Sequence, residues 1–327
     1  MAYSNEVVRK ARAELASRKA DHESQTAERL HRAYAQVPRI KEIDILLRKS
    51  MAMAMQAVFQ AGSDAKAAME EVKQANLALQ AEKKALIEAN FGPGYLEEEP
   101  ICPKCGGSGY IGSFMCSCLQ DLCRQQQEKE IALLADDGQH FGAFRLDYYI
   151  DRPDPKTGIS PRAIMARGFD ICRDYAQNFT PASGNLLFNG GTGLGKTFLS
   201  ACIAREVAAK GYSVAYETAA HLFSKLEKHR FHPDEESYRE VKRLNACDLL
   251  IIDDLGTELP GQFVTAALYT LVNDRLLAGK PMVISTNLNI EEVGQRYSPQ
   301  IRSRLQGSFQ QLPFVGQDIR VLKNRGY

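Results

Sequence analysis

The chain has almost no net charge, no long apolar runs and, over its first 92 residues, a single proline. Its 41 Lys and Arg residues offset 40 Asp and Glu, leaving a formal charge of +1. That balance excludes a global electrostatic pull toward nucleic acid or a membrane surface, so any polyanion contact must be a local patch. No stretch approaches the roughly 18 consecutive apolar residues of a membrane span. Met1–Arg12 carries charges without an apolar centre, which excludes a secretory signal. These absences predict a cytoplasmic protein with no membrane partner. In that compartment the eight cysteines read as metal ligands or buried thiols rather than disulfides. Internal repeats and low-complexity tracts are also missing.

What is present divides along the chain. At 327 residues there is room for about two domains. Residues 1–95 are rich in Ala, Glu, Lys, Arg and Gln, with Pro38 the only proline before Pro93, and predict a helical region. Within it, Ala65–Asn90 places Val72, Leu79 and Leu86 at sevenfold spacing, the seam of a coiled coil or of a helical hairpin. Phe91-Gly92-Pro93-Gly94 stops that helix. Residues 96–137 hold a cysteine cluster and a short helix over Gln125–Asp137. Residues 138–164, with Pro153, Pro155, Gly158 and Pro161, read as a linker whose Phe141, Phe144, Leu146 and Tyr149 pack on the edge of the C-terminal domain. In that domain, residues 165–327, apolar runs alternate with helical stretches, which predicts α/β architecture with a central parallel sheet. The expected strands are Asn185–Asn189, Ser213–Glu217, Leu249–Asp253, Met282–Thr286 and Phe309–Leu312.

After the first of these strands comes Gly190-Gly191-Thr192-Gly193-Leu194-Gly195-Lys196-Thr197, and then an expected helix from Thr197 through Phe198. The octapeptide fits the phosphate-binding loop G-x-x-x-x-G-K-[ST] at every fixed position, in the strand–loop–helix context it requires. Glycines let backbone N–H groups crowd around phosphate oxygens, and the helix N-terminus adds partial positive charge. Gly190 to Phe198 therefore form the candidate nucleotide cradle. Lys196 is expected at the β- and γ-phosphates, and the Thr197 hydroxyl on Mg²⁺.

Leu249-Leu250-Ile251-Ile252-Asp253-Asp254 is an apolar strand ending in two acids, the Walker B arrangement. Asp253 is expected to hold Mg²⁺, directly or through water, and Asp254 to orient and deprotonate the attacking water. Asn287 ends the strand Met282–Thr286, where it can position that water. Ser298-Pro299 opens a short helix in which Arg302 and Arg304 flank an inner face of Ile301 and Leu305. Either arginine is placed to act on a neighbouring copy's nucleotide as an arginine finger.

Cys102-Pro-Lys-Cys105 and Cys116-Ser-Cys118 supply four thiolates, the donor set of tetrahedral structural Zn²⁺. The second pair is tighter than the usual knuckle, and Cys123 is a possible replacement for Cys116 or Cys118. A redox dithiol is the competing reading, but the segment lacks a thioredoxin-like setting. Cys172, Cys202 and Cys247 sit on apolar stretches and read as core.

Taken together, the phosphate loop, Ile-Ile-Asp253-Asp254, Ser-Thr-Asn287, Ile-Arg302-Ser-Arg304-Leu and the closing Phe314-Val-Gly-Gln-Asp-Ile-Arg320 resemble the DnaC/DnaI helicase loaders. They also resemble the related IstB-type transposition helper ATPases. The resemblance covers about residues 140–327 and implies an AAA+ P-loop fold close to that of the initiator DnaA. It implies ATP with Mg²⁺, Asn287 as sensor 1, Arg304 as the arginine finger with Arg302 as runner-up, and Arg320 as the last nucleotide-sensing arginine. The chain ends at Tyr327, shortly after Arg320, which fits a reduced lid. The cysteine module resembles the zinc-binding domain with which DnaI-type loaders grip the replicative helicase. The implied function is ATP-dependent loading of a hexameric replicative helicase (DnaB/DnaC-type), with single-stranded DNA as a second partner and a homo-oligomer in the ATP-bound form. The segment from His221 to Phe231, mixing bases with aromatics, is the candidate DNA contact. The alternatives are an IstB-type transposition helper, a small-molecule P-loop kinase and a non-hydrolysing adaptor.

Overall fold

A computed structural model describes residues 3–60, 65–97, 99–134, 138–155 and 158–324. The chain forms two compact units, one spanning Ala13–Cys116 and the other combining the segment up to Arg12 with the chain from Ser117 onward.

The first unit is built from helices. α1 (Asn5–Gln36) begins in the other unit and runs into this one, before α2 (Pro38–Gln60) and α3 (Ala65–Phe91). Near-absence of proline and glycine permits helices this long. α2 and α3 form an antiparallel hairpin, pinned by Arg39–Glu82 at 2.8 Å and Lys83–Asp44 at 2.6 Å. Val72, Leu79 and Leu86 are half-buried in α3, so a hairpin within one chain accounts for their sevenfold spacing. A two-stranded hairpin, β1 (Tyr110–Ile111) and β2 (Phe114–Met115), closes the glycine-rich loop between the cysteine pairs.

The second unit opens with α4 (Ser117–Leu134). It starts eight residues earlier than the sequence suggested, and the expected end at Asp137 lies outside the described residues. Leu119, Leu122, Cys123 and Ile131 are buried along one stripe of α4 at helical spacing, a pattern the cysteines had masked. α4 packs on the helix Lys196–Ala209 of the sheet domain.

In chain order the sheet domain comprises α5 (Pro161–Gln177), β3 (Asn185–Gly190), α6 (Lys196–Ala209), β4 (Val214–Thr218), α7 (Ala219–Phe231), α8 (Glu235–Ala246), β5 (Leu249–Leu255), α9 (Gln262–Leu277), β6 (Met282–Thr286), α10 (Ile290–Arg296), α11 (Pro299–Ser308), β7 (Phe309–Phe314) and α12 (Ile319–Asn324). All five expected strands are present, in spatial order β4-β5-β6-β3-β7, and every pairing is parallel. Because both faces are covered, the strands read as near-continuous apolar runs. Leu186, Phe188 and Ile251 point into the core shared with α5 and α6; Leu187, Ile252 and Ile284 point into the opposite core. Phe141, Phe144 and Leu146 pack against the first core, and Tyr149 is buried in it, as expected for the residues preceding α5. Cys172, Cys202 and Cys247 are buried. Among the described residues no helix is long and apolar enough to cross a membrane.

β3 is where the strand order reverses: its own connection runs to β4 on one side, while β6 on that side connects onward to β7 on the other. Such a switch point opens a crevice beyond the carboxyl ends of the strands, where ligands of open α/β sheets bind.

Candidate active site

The phosphate loop fills that crevice. Gly195 is the residue preceding α6 and adopts φ 90°, and no side chain caps the first N–H groups of the helix. Gly190 is required by space, and Gly193 by its left-handed backbone. A Cβ on Gly190 would run into the Phe314 carbonyl of β7, and one on Gly193, at φ 73°, into the Asp318 carboxylate. The loop is braced from outside by Tyr149, whose buried hydroxyl donates to the Leu194 carbonyl at 2.9 Å.

Lys196 is 4% exposed. Its ammonium donates to Gly190 O and Gly191 O, each at 2.7 Å, and to Asn287 Oδ1 at 2.6 Å. Burial holds its pKa below the ordinary lysine value, partly countered by the two acids of β5. The loop lysine and the Asn just past β6, 91 residues apart in sequence, therefore meet directly.

Asp253 and Asp254 are separated by an irregularity in β5. The β5–β6 register shifts between Ile252 and Leu255, and Asp254 takes φ 55°, the one positive value at a non-glycine among the described residues. A bulge re-aims side chains, and here it divides the pair. Asp253 is 2% exposed and turned inward. Its Oδ2 accepts from the Tyr216 hydroxyl at 2.9 Å, and its Oδ1 from the Ser285 hydroxyl. Asp254 faces the crevice, and burial together with the charge of Asp253 raises its pKa. The Ser285 oxygen also accepts from the Asp254 backbone N–H at 2.9 Å.

A cavity of about 470 Å³ lies over the loop and is lined by Lys196, Thr197, Phe198, Asp254, Asn287 and Arg320, among others. Phe144, Arg145 and Tyr148, from the segment preceding α5, form its far wall. Phe144 meets Phe198 with ring centroids 5.6 Å apart. The cavity thus carries a cationic floor, an acid at its edge and an aromatic wall. That arrangement suits a polyanion bearing a flat ring, with the acid placed to take a proton at its far end.

Arg304 is not among the residues lining this cavity. It folds back on α9, its guanidinium 4.9 Å over the Tyr269 ring, with Nη2 donating to the Tyr269 hydroxyl at 2.9 Å. Arg302 is exposed, its stem against Gly294. In α7, Lys225 pairs with Glu217 at 2.6 Å and Lys228 with Asp234 at 3.0 Å, while Phe231 is 58% exposed and meets Phe263 at a tilt of 51°.

The sulfurs of Cys102, Cys105, Cys116 and Cys118 lie within 4.8 Å of one another. A tetrahedron with zinc–sulfur arms of about 2.3 Å has edges of about 3.8 Å, and Cys102 Sγ stands 3.8 Å from Cys116 Sγ. Gly109 N–H donates to Cys105 Sγ at 3.3 Å, the support a thiolate ligand needs. The cluster can therefore bind zinc. Cys123 lies outside it, buried in α4, with its thiol pushed up to about 11 by burial.

Tyr216 and Ser285 were not among the expected site residues, and Tyr149 was expected only as a packing residue. For the first two a signal existed, because a hydroxyl within an apolar buried strand must find a partner.

Comparison with known proteins bears on residues 171–301, which match the model of the IstB-like ATP binding proteins. The replicative helicase loader DnaC of Escherichia coli (strain K12) is 26% identical over 133 residues, covering 41% of this chain and 54% of DnaC. The chromosomal replication initiator protein DnaA of Helicobacter pylori (strain J99) is 31% identical over 86 residues, covering 26% of this chain and 18% of DnaA. The resemblance to the DnaC-type AAA+ group, read from the motifs, holds for this domain. The chain spans about half the length of the DnaC relatives it matches. Among solved structures, the DnaC helicase loader superposes with a TM-score of 0.44 at 19% identity, covering 54% of this chain and 98% of that one.

Proposed function

We propose that the chain is an ATPase that loads a replicative DNA helicase. The observation that carries the reading is the convergence of Lys196, Asp254, Asn287 and Arg320 on one cavity above the phosphate loop, in a chain that also carries a four-cysteine module.

In this reading ATP binds with its phosphates on the backbone N–H groups of the loop. Lys196 leaves Asn287 and the two loop carbonyls for the β- and γ-phosphates. Thr197 and Asp253 would hold Mg²⁺, which would supply neutralising charge for the phosphate oxygens. Asp254 takes the proton of the attacking water, and its raised pKa suits a base. Asn287, released by Lys196, orients that water. Arg304 leaves Tyr269 and acts on the nucleotide of a neighbouring copy, so turnover is slow until copies assemble. Arg320 reads the γ-phosphate. ATP favours the assembled form on single-stranded DNA and the helicase ring, and hydrolysis releases the loader.

The four cysteines hold structural zinc, and that module grips the helicase. For DNA, Lys225 and Lys228 are already paired within the chain, so the contact in this reading is Arg230 with the exposed Phe231, a cation beside an aromatic ring. The protein works in the cytoplasm. The match to the IstB-like family favours a second reading, a transposition helper with the same ATPase cycle and a transposase as client.

The test is capture of partners from host lysate on the full-length chain, compared with Cys102→Ser and Cys105→Ser. A replicative helicase recovered by the natural chain and lost with the variants is the expected result. Recovery of a transposase moves the assignment to the second reading, and recovery of neither overturns the loader reading.

A further inference from the structure

We propose that Tyr216 and Ser285 are positioning residues that fix the two acids of β5 in their separate roles. The proposal rests on the nucleotide-site reading above and deepens it.

An aspartate's terminal torsion is broad and roughly two-fold. Burying Asp253 does not by itself decide where its oxygens face. The two strands flanking β5 decide it. Tyr216, from β4, donates its hydroxyl to Oδ2 at 2.9 Å, and Ser285, from β6, donates to Oδ1. An ionised carboxylate has about four lone-pair positions. Two are thereby taken on the protein side, and the remaining pair is left for a magnesium ion or its water.

Ser285 does a second thing. Its oxygen accepts from the Asp254 N–H at 2.9 Å, so one hydroxyl ties the backbone of the outward acid to the carboxylate of the inward one. Asp254 needs the tie, because its φ of 55° persists only where the surroundings over-determine it. Tyr216 and Ser285 are 6% and 0% exposed and neither lines the cavity above the phosphate loop, so both act on that cavity through the acids. Tyr216 also walls a second, polar cavity of about 570 Å³, shared with Glu217, Lys225 and Arg243. The hydroxyl on Asp253 is thus carried by a side chain that borders the helix of the candidate DNA contact.

The experiment uses the full-length chain and four variants: Tyr216→Phe, Ser285→Ala, the conservative Ser285→Thr, and Asp253→Asn as benchmark. Binding of a fluorescent non-hydrolysable ATP analogue is titrated with magnesium and, separately, in EDTA. Hydrolysis is measured against magnesium concentration. In EDTA, Tyr216→Phe and Ser285→Ala should bind the analogue within about twofold of the natural chain, since they leave the phosphate loop untouched. The magnesium concentration at half-saturation should rise about tenfold, as for loss of one hydrogen bond to a charged group. Ser285→Thr should restore it. Natural magnesium dependence in both variants, with Asp253→Asn having lost it, overturns the positioning role. So does an equal loss of affinity with and without magnesium, which marks a merely structural part. Natural magnesium dependence in Asp253→Asn itself overturns the nucleotide-site reading instead. If Ser285→Ala fails to fold, Tyr216→Phe, which keeps the buried ring, decides.

Discussion

Asp253 and Asp254 are neighbours in sequence with opposite surroundings. One is sealed between two hydroxyls, and the other stands at the cavity wall on a left-handed backbone. Nothing in the dipeptide distinguishes them; the register shift of β5 does. The consequence is testable by paired substitutions. Asp254→Asn should retain ATP binding and lose hydrolysis by about 10²–10⁴-fold, the range of general base catalysis. Lys196→Ala should lose binding itself, because the ammonium is the cation on the cavity floor. Equilibrium binding of a labelled nucleotide and single-turnover hydrolysis separate the two outcomes. If Asp254→Asn hydrolyses at the natural rate, the base lies elsewhere.

At the scale of elements, the sheet is closed by side chains that stand in for strands and caps. β4 is an edge strand and so exposes unpaired backbone groups. Gln127 of α4 covers that edge: its amide donates to Tyr212 O at 3.0 Å and accepts from Val214 N at 3.1 Å, copying the pattern of a neighbouring strand. In Gln127→Ala, hydrogen exchange at the Val214 amide should accelerate while exchange at the β5 amides stays slow; unchanged protection at Val214 would remove the brace.

Arg275 of α9 is fully buried and donates to Leu244 O and Pro281 O, each at 2.7 Å, and to Cys247 O at 3.2 Å. It thereby satisfies the carboxyl end of α8 and the entry to β6. Arg275→Leu takes a donor from each of those carbonyls; Pro281 O keeps the Leu250 N–H at 3.2 Å and Leu244 O the Cys247 thiol at 3.6 Å, while Cys247 O loses its partner, at roughly 1–3 kcal/mol for a buried group left unsatisfied. Chemical denaturation should show a loss of about 2 kcal/mol, and no measurable loss would mean that water replaces the guanidinium.

At the scale of the whole molecule, the proposed arginine finger is not in the cavity of its own chain, since Arg304 lies over the Tyr269 ring. Assembly would supply it from a second copy. Arg304→Ala and Asp254→Asn should each be inactive alone. Mixed, they should recover part of the natural rate, because some interfaces then pair an intact acid with an intact arginine. Absence of recovery, with both variants shown to co-assemble, would exclude Arg304 as the shared residue and turn attention to the exposed Arg302.

The five strands and the phosphate loop were legible in the sequence because each depends on a continuous window. An apolar run in a doubly covered sheet looks the same wherever it packs, and glycine spacing carries its own backbone geometry. The cysteine cluster was legible because a short chain connects all four ligands. The start of α4 was not, because its buried stripe runs through cysteines that read equally well as ligands. Tyr216 and Ser285 on Asp253, Tyr149 on Leu194 and Tyr269 on Arg304 were decided only by the tertiary structure. Each joins residues 32 to 45 positions apart through a hydroxyl group, whose residue types occur everywhere in proteins. Such a pair has no local signature. It exists only once the parallel strands bring their carboxyl ends to one edge, and it is there that the chain places its acids, its lysine and its asparagine.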